Sequence, residues 1–135
     1  MKYLLFCTII IAASSLALAH PDEKANSKSD RKTKSDSVSY KKDVLPILKA
    51  NCLPCHTEDQ MNPSELYLDT YDNLMAGGKH GKPVVVGKAD SSLLIIKLVG
   101  KPPFGDRMPL KRKTSLSADT ISTLRAWINQ GAKRN

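Results

Sequence analysis

Cysteine is scarce, three in 135 residues, and Cys7 falls inside an N-terminal apolar run, so a disulfide-stapled scaffold is excluded. Aromatic residues are few: one Trp, two Phe and four Tyr. No basic stripe interleaved with aromatics can be drawn, and neither helix-turn-helix nor finger spacing occurs, so nucleic acid is not an expected partner. Acidic residues are outnumbered 13 to 21 by Lys and Arg, a balance that favours partners with acidic surfaces. Alternating strand patterns and internal repeats are missing too. That removes the strand-and-helix framework a thioredoxin-like Cys-x-x-Cys pair needs.

The apolar run opens the chain. Behind Lys2, residues Tyr3 to Ala13 are apolar or uncharged, and Ala17-Leu18-Ala19 gives the small-residue ending of a secretory signal cut before His20. An uncleaved anchor is the alternative, since Tyr3 to Ala19 approaches the ~17-residue minimum for spanning a bilayer. Cys7 sits too early for a lipoprotein signal and leaves with residues 1–19. The mature chain then keeps Cys52 and Cys55 and a net charge of +7, twenty basic side chains against thirteen acidic. Residues 20–38 are so poor in apolar side chains that they read as a disordered polar linker. One folded domain is expected over residues 39–135.

Within that domain the periodicity is helical. Val44, Leu45, Ile47 and Leu48 predict a helix over about Tyr40 to Asn51, starting late or bending at Pro46. Leu66, Leu68, Tyr71, Leu74 and Met75 predict a second over Ser64 to Met75, stopped by Gly77-Gly78. Lys79 to Lys88 is an extended loop. Asp90 is the expected N-cap of a third helix, Ser91 to Val99, ending at Gly100. Residues 101–116 are punctuated by Pro and Gly and read as a loop. Ser117 caps a last helix through Asn129, with Ile121, Leu124, Trp127 and Ile128 on one face and Gly131 beyond its end.

Between the first two helices stands Cys52-Leu53-Pro54-Cys55-His56. Two thiols three residues apart on a helical turn match the separation of the two vinyl groups of haem, and the next residue, His56, can coordinate the iron. The expected cofactor is therefore one covalently attached haem c. A zinc site would need a fourth ligand, with His80 and exposed acids the only candidates. A plain disulfide leaves His56 without a role.

For the sixth iron position the candidates are Met61, Met75, Met108 and His80, or an open site. Met108 is preferred: in Gly105-Asp106-Arg107-Met108-Pro109 a proline follows it, and it lies far enough along the chain to reach the opposite haem face. Met75 fits the core at helical spacing from Tyr71, Met61 is too close to His56 to wrap round the haem, and His80 reads as a loop histidine.

Residues Asp43 to Ala132 resemble the small cytochrome c domains of planctomycetes and related bacteria. The likeness is carried by Asp43-Val44-Leu45-Pro46-Ile47-Leu48 before Cys52-x-x-Cys55-His56, then Leu68-Asp69, Gly77-Gly78, Ser92-Leu93-Leu94, Arg107-Met108-Pro109 and Leu124-Arg125-Ala126-Trp127-Ile128-x-x-Gly131-Ala132. The resemblance implies an all-α class I cytochrome c-like fold, three to five short helices around the haem. It also implies Cys52 and Cys55 as thioether positions, His56 as proximal ligand and Met108 as distal ligand. Val86 departs from the pattern, standing before Gly87 where such domains have a proline.

The expected function is one-electron transfer in an exported chain, with no substrate transformed. Lys49, Lys79, Lys82 and Lys111 are candidates to steer an acidic redox partner. A haem enzyme or gas sensor would need an open sixth position, and a zinc-binding module would be colourless. A domain this small gains much of its apolar burial from the porphyrin. The form without haem should therefore be largely unfolded by circular dichroism, and a native-like spectrum would refute that.

Overall fold

Proline removes a backbone donor, and the way the first helix absorbs Pro46 shapes the start of the fold. The computed structural model describes residues 37–110 and 115–135. The signal and most of the linker expected over residues 1–38, and the steering candidate Lys111, lie outside the described residues.

A π-turn over Tyr40–Val44 runs directly into α1, Leu45–Asn51. Val44 and Leu45 donate to the carbonyls of Ser39 and Tyr40, five residues back. This wider turn places Pro46 in the first turn of α1, where a missing N–H is tolerated. The result is helical cover from Tyr40 to Asn51, as predicted, with the irregularity ahead of the proline. Ser39 caps the start by accepting from the Lys42 N–H at 3.2 Å.

The second predicted helix is much shorter than expected. Only Tyr71–Ala76 is helical (α2), capped by Thr70, whose hydroxyl accepts from Asn73 N–H at 3.1 Å. Residues 62–68 instead form an irregular strap. Asn62 Oδ1 accepts from Ser64 N–H at 3.1 Å and from Ser64 Oγ at 2.7 Å, a local side-chain turn that competes with the helix. Glu65 takes a left-handed backbone conformation, φ 51°.

Asp90 does not cap the third helix. It is exposed and pairs with Arg125, while a 3-10 turn at Ala89–Ser91 precedes α3, Leu93–Val99. Ser92, wholly buried, turns its hydroxyl back to the Lys88 carbonyl at 2.9 Å and accepts from Val85 N–H at 2.9 Å. The Ser side chain thus ties the valine loop to α3. Val84 is buried and Val86 is 53% exposed.

The last helix, α4, Ala118–Asn129, follows its prediction. Ser117 Oγ accepts from Thr120 N–H at 3.2 Å, and Leu124, Trp127 and Ile128 are buried at three- and four-residue spacing. Its end is a Schellman turn: Gly131, φ 100°, donates to the Ile128 carbonyl and Ala132 to that of Trp127. The turn presents two carbonyls inward, Ala132 to the Tyr71 hydroxyl and Lys133 to Trp127 Nε1, both at 2.9 Å.

α4 packs on α3, on the 3-10 turn and on the π-turn. Its Trp127, 1% exposed, meets Tyr40 and Tyr71 at ring centroids of 5.7 and 6.5 Å. Trp127 and Tyr71 are packing residues, as expected. The two ends of the domain are clasped there, with Lys41 N–H donating to the Asn135 carbonyl and Val38 N–H to Gln130 Oε1. Among the described residues there is no strand, only an isolated bridge between Gly78 and Gly81, and no helix is long and apolar enough to cross a membrane.

Tyr40 is 6% exposed, and its hydroxyl finds no hydrogen-bond partner among the described residues. Tyr40→Phe should leave stability at pH 7 unchanged or raise it by about 1 kcal/mol. Burial pushes the Tyr40 phenol above its usual value. Its folded pKa therefore exceeds the unfolded one of about 10, so stability present below pH about 10 is lost as pH rises through the folded value. Denaturation midpoints across the alkaline range should fall less steeply in Tyr40→Phe than in the wild type.

Candidate functional site

The Cys-x-x-Cys-His segment begins where α1 ends. Cys52 N–H still donates to Leu48 at 2.8 Å, and the Cys52 carbonyl accepts from Cys55 N–H at 3.1 Å and from His56 N–H at 3.0 Å. The motif is therefore one more helical turn, and Pro54 lies in it where no donor is required. Cys52 is half-buried, Cys55 exposed and His56 half-buried.

His56 is held by the strap of residues 62–68. Its Nδ1 lies 2.8 Å from the Leu66 carbonyl, and the His56 carbonyl accepts from Leu68 N–H at 2.9 Å. Asn62 Nδ2 donates to the same Leu66 carbonyl at 2.7 Å. The Asn62 nitrogen also stands 3.0 Å from Nδ1; the tautomer in which Nδ1 donates to the closer Leu66 carbonyl leaves Nε2 the lone pair a metal requires. The segment predicted as helix is the device that orients the imidazole. Sequence reasoning passed over Asn62 and Leu66, although Asn62-Pro63-Ser64 is a turn signal.

Gly77 and Gly78, read in the sequence as a helix stop and as part of the family likeness, lie close against neighbouring backbone. A Cβ on Gly78 would stand 2.5 Å from the Ser64 carbonyl oxygen and 2.9 Å from Leu66 N, and one on Gly77 would stand 2.4 Å from the Gly81 carbonyl oxygen. The Lys79 N–H also donates to Ser64, at 2.9 Å.

Met108 is fixed from the other side of the sequence. Its N–H donates to the Lys97 carbonyl at 2.8 Å, and Arg107 Nε donates to Leu98 at 3.1 Å, so the loop is stitched to the end of α3. Lys97 Nζ bonds the carbonyls of Phe104 and Asp106 and stands 4.3 Å over the Phe104 ring.

The other sixth-position candidates are placed differently. Met61 is 98% exposed, Met75 packs on the core, and His80 is exposed and stacks on Phe104 at 3.9 Å.

These residues fit haem better than zinc. Among the described residues no three His, Cys, Asp or Glu side chains gather as a metal centre. A tetrahedral zinc needs such convergence, whereas a porphyrin takes its thiols and its imidazole at separate points. Leu53, Leu66, Met75, Met108 and Ile121 are half-buried apolar side chains packed on the core.

Residues 52–109 match the family described as Planctomycete cytochrome C. That match supports a planctomycete-type cytochrome c domain, and the described all-α architecture agrees with the class I cytochrome c-like fold expected from the sequence. That family implies covalently bound haem c. The chain is also similar to the hydrazine synthase of Kuenenia stuttgartiensis, at 25% identity and a TM-score of 0.47, over 70% of this chain and 16% of that one. The chain spans a small part of that protein's length. A search of the curated proteins finds no match.

Lys97→Met keeps the aliphatic stem and removes the ammonium that ties down Phe104 and Asp106. Loss of charge-assisted bonds of about 1.5–3 kcal/mol should speed hydrogen exchange at the Met108 amide by about tenfold or more in the haem-loaded protein. An unchanged rate would show that the backbone contacts hold the loop alone.

Proposed function

We propose that the chain is an exported single-haem c-type cytochrome that carries one electron at a time between partner proteins. Bound here, haem supplies a metal centre that changes oxidation state by one electron. Cys52 and Cys55 would hold it as thioethers, His56 Nε2 would face the iron, and the Met108 sulfur would take the opposite side. Leu53, Leu66, Met75 and Ile121 would keep water from the porphyrin. What carries this reading is the fixed His56 ring, its Nδ1 committed to Leu66 at 2.8 Å.

The stitched Met108 loop supports a carrier over an enzyme or sensor, because a Met108 sulfur held this way would close the sixth position. Outer-sphere transfer needs only an approach of partners. Of the lysines proposed for steering, Lys49 and Lys82 are exposed, whereas Lys79 is paired with Glu65 at 2.9 Å. The excess of positive charge should make association with an acidic partner fall as salt rises.

The first test is the absorption spectrum of protein matured with a haem-attachment system, oxidised and reduced, followed by acid-acetone extraction. Haem should stay with the polypeptide, in low-spin form, with the weak long-wavelength band of sulfur-ligated ferric iron. Met108→Ala should abolish that band and lower the midpoint potential. A high-spin resting spectrum would favour an enzyme or sensor, and a colourless protein would overturn the haem reading.

A further inference from the structure

The Leu66 carbonyl receives two donors where orienting the imidazole needs only one. His56 Nδ1 lies at 2.8 Å and Asn62 Nδ2 at 2.7 Å, with the two nitrogens 3.0 Å apart. The orientation of the Asn62 amide follows from its other end. Its Oδ1 accepts from the backbone N–H of Ser64, which can only donate, so the atom nearest Leu66 and His56 is nitrogen.

We propose that Asn62 is a positioning residue that sets how strongly His56 donates to the iron, by sharing the carbonyl that holds the His56 ring. This rests on the reading of His56 as the proximal ligand. A hydrogen bond from Nδ1–H pushes electron density into the imidazole and raises its basicity at Nε2. A carbonyl that also accepts from Asn62 polarises Nδ1–H less than one serving His56 alone. The ring is then a weaker donor, the ferric state is less stabilised, and the potential is held up. Asn62 acts here through Leu66 and His56 without touching the cofactor.

Two substitutions separate this role from a merely structural one. Asn62→Ala returns the whole carbonyl to His56. Asn62→Asp keeps the acceptor for Ser64 and places a carboxylate oxygen where the amide nitrogen stood. Nδ1–H can then turn to the carboxylate, which draws the ring toward imidazolate, a far stronger donor.

The experiment is a spectroelectrochemical titration of the haem-loaded wild type and both variants, with the His56 Nδ1–H resonance followed in the reduced protein. Midpoint potentials should fall in the order wild type, Asn62→Ala, Asn62→Asp. The last should shift the reduction equilibrium by about tenfold or more, 59 mV for one electron, and move the Nδ1–H resonance downfield. Equal potentials in proteins with intact low-spin spectra, or a rise in either variant, would overturn the proposal.

Should a variant fail to take up haem, the wild type decides. Scalar couplings across the hydrogen bonds should link the Leu66 carbonyl carbon to both His56 Nδ1 and Asn62 Nδ2, and absence of the Asn62 coupling sinks the idea. Wild type that matures without covalent haem refutes the reading of His56 itself, a result distinct from each of these.

Discussion

An imidazole that meets a metal through one nitrogen has to give up its freedom at the other. In this domain His56 Nδ1 is held by the Leu66 carbonyl, and the strap is arranged so that this carbonyl points at His56. The strap of residues 62–68 departs from helix to present it, at the cost of a left-handed Glu65. Asn62 fixes the turn through Ser64. Gly77 and Gly78 admit close backbone because a side chain there would collide with Gly81 and with the strap.

Rigidity at the other end of the domain comes from neutral groups. Trp127, Tyr71 and Tyr40 pack together, and the Schellman turn after α4 supplies the carbonyls that satisfy the first two. Burying aromatic surface while pairing its polar tips lets a small domain close its ends without a disulfide. The Tyr40 hydroxyl is the exception, buried without a partner among the described residues. The charged contacts are peripheral: the bridges from Arg125 to Asp90, Arg134 to Asp72 and Lys79 to Glu65 all involve an exposed carboxylate, and exposed pairs of this kind add little stability.

The Met108 loop shows how an irregular segment is fixed without secondary structure. Its backbone bonds to Lys97 and Leu98 use carbonyls left over at the end of α3, the groups a helix terminus has to satisfy somewhere. The loop therefore completes the helix while the helix positions the loop. His80, stacked on Phe104 in the same loop, reaches this region by packing of its ring.

Local chemistry decided what was legible beforehand. α4 could be read from Ser117, its apolar face and Gly131, because cap, period and stop are all short-range signals. Cys52, Cys55 and His56 stood out because their spacing is a chemical pattern, and Met108 because it lies between Arg107 and Pro109 in a loop. The long second helix and the Asp90 cap were misread for one reason. In both places a polar side chain chose a partner elsewhere, Asn62 at Ser64 and Leu66, Ser92 at Val85 and Lys88, and Asp90 at Arg125. The sequence by itself determined which residues could hold a haem and which helices had strong ends. Only the tertiary structure decided how His56 is aimed, because a backbone carbonyl has no signature in the sequence and acquires its role when the fold brings it to the ring.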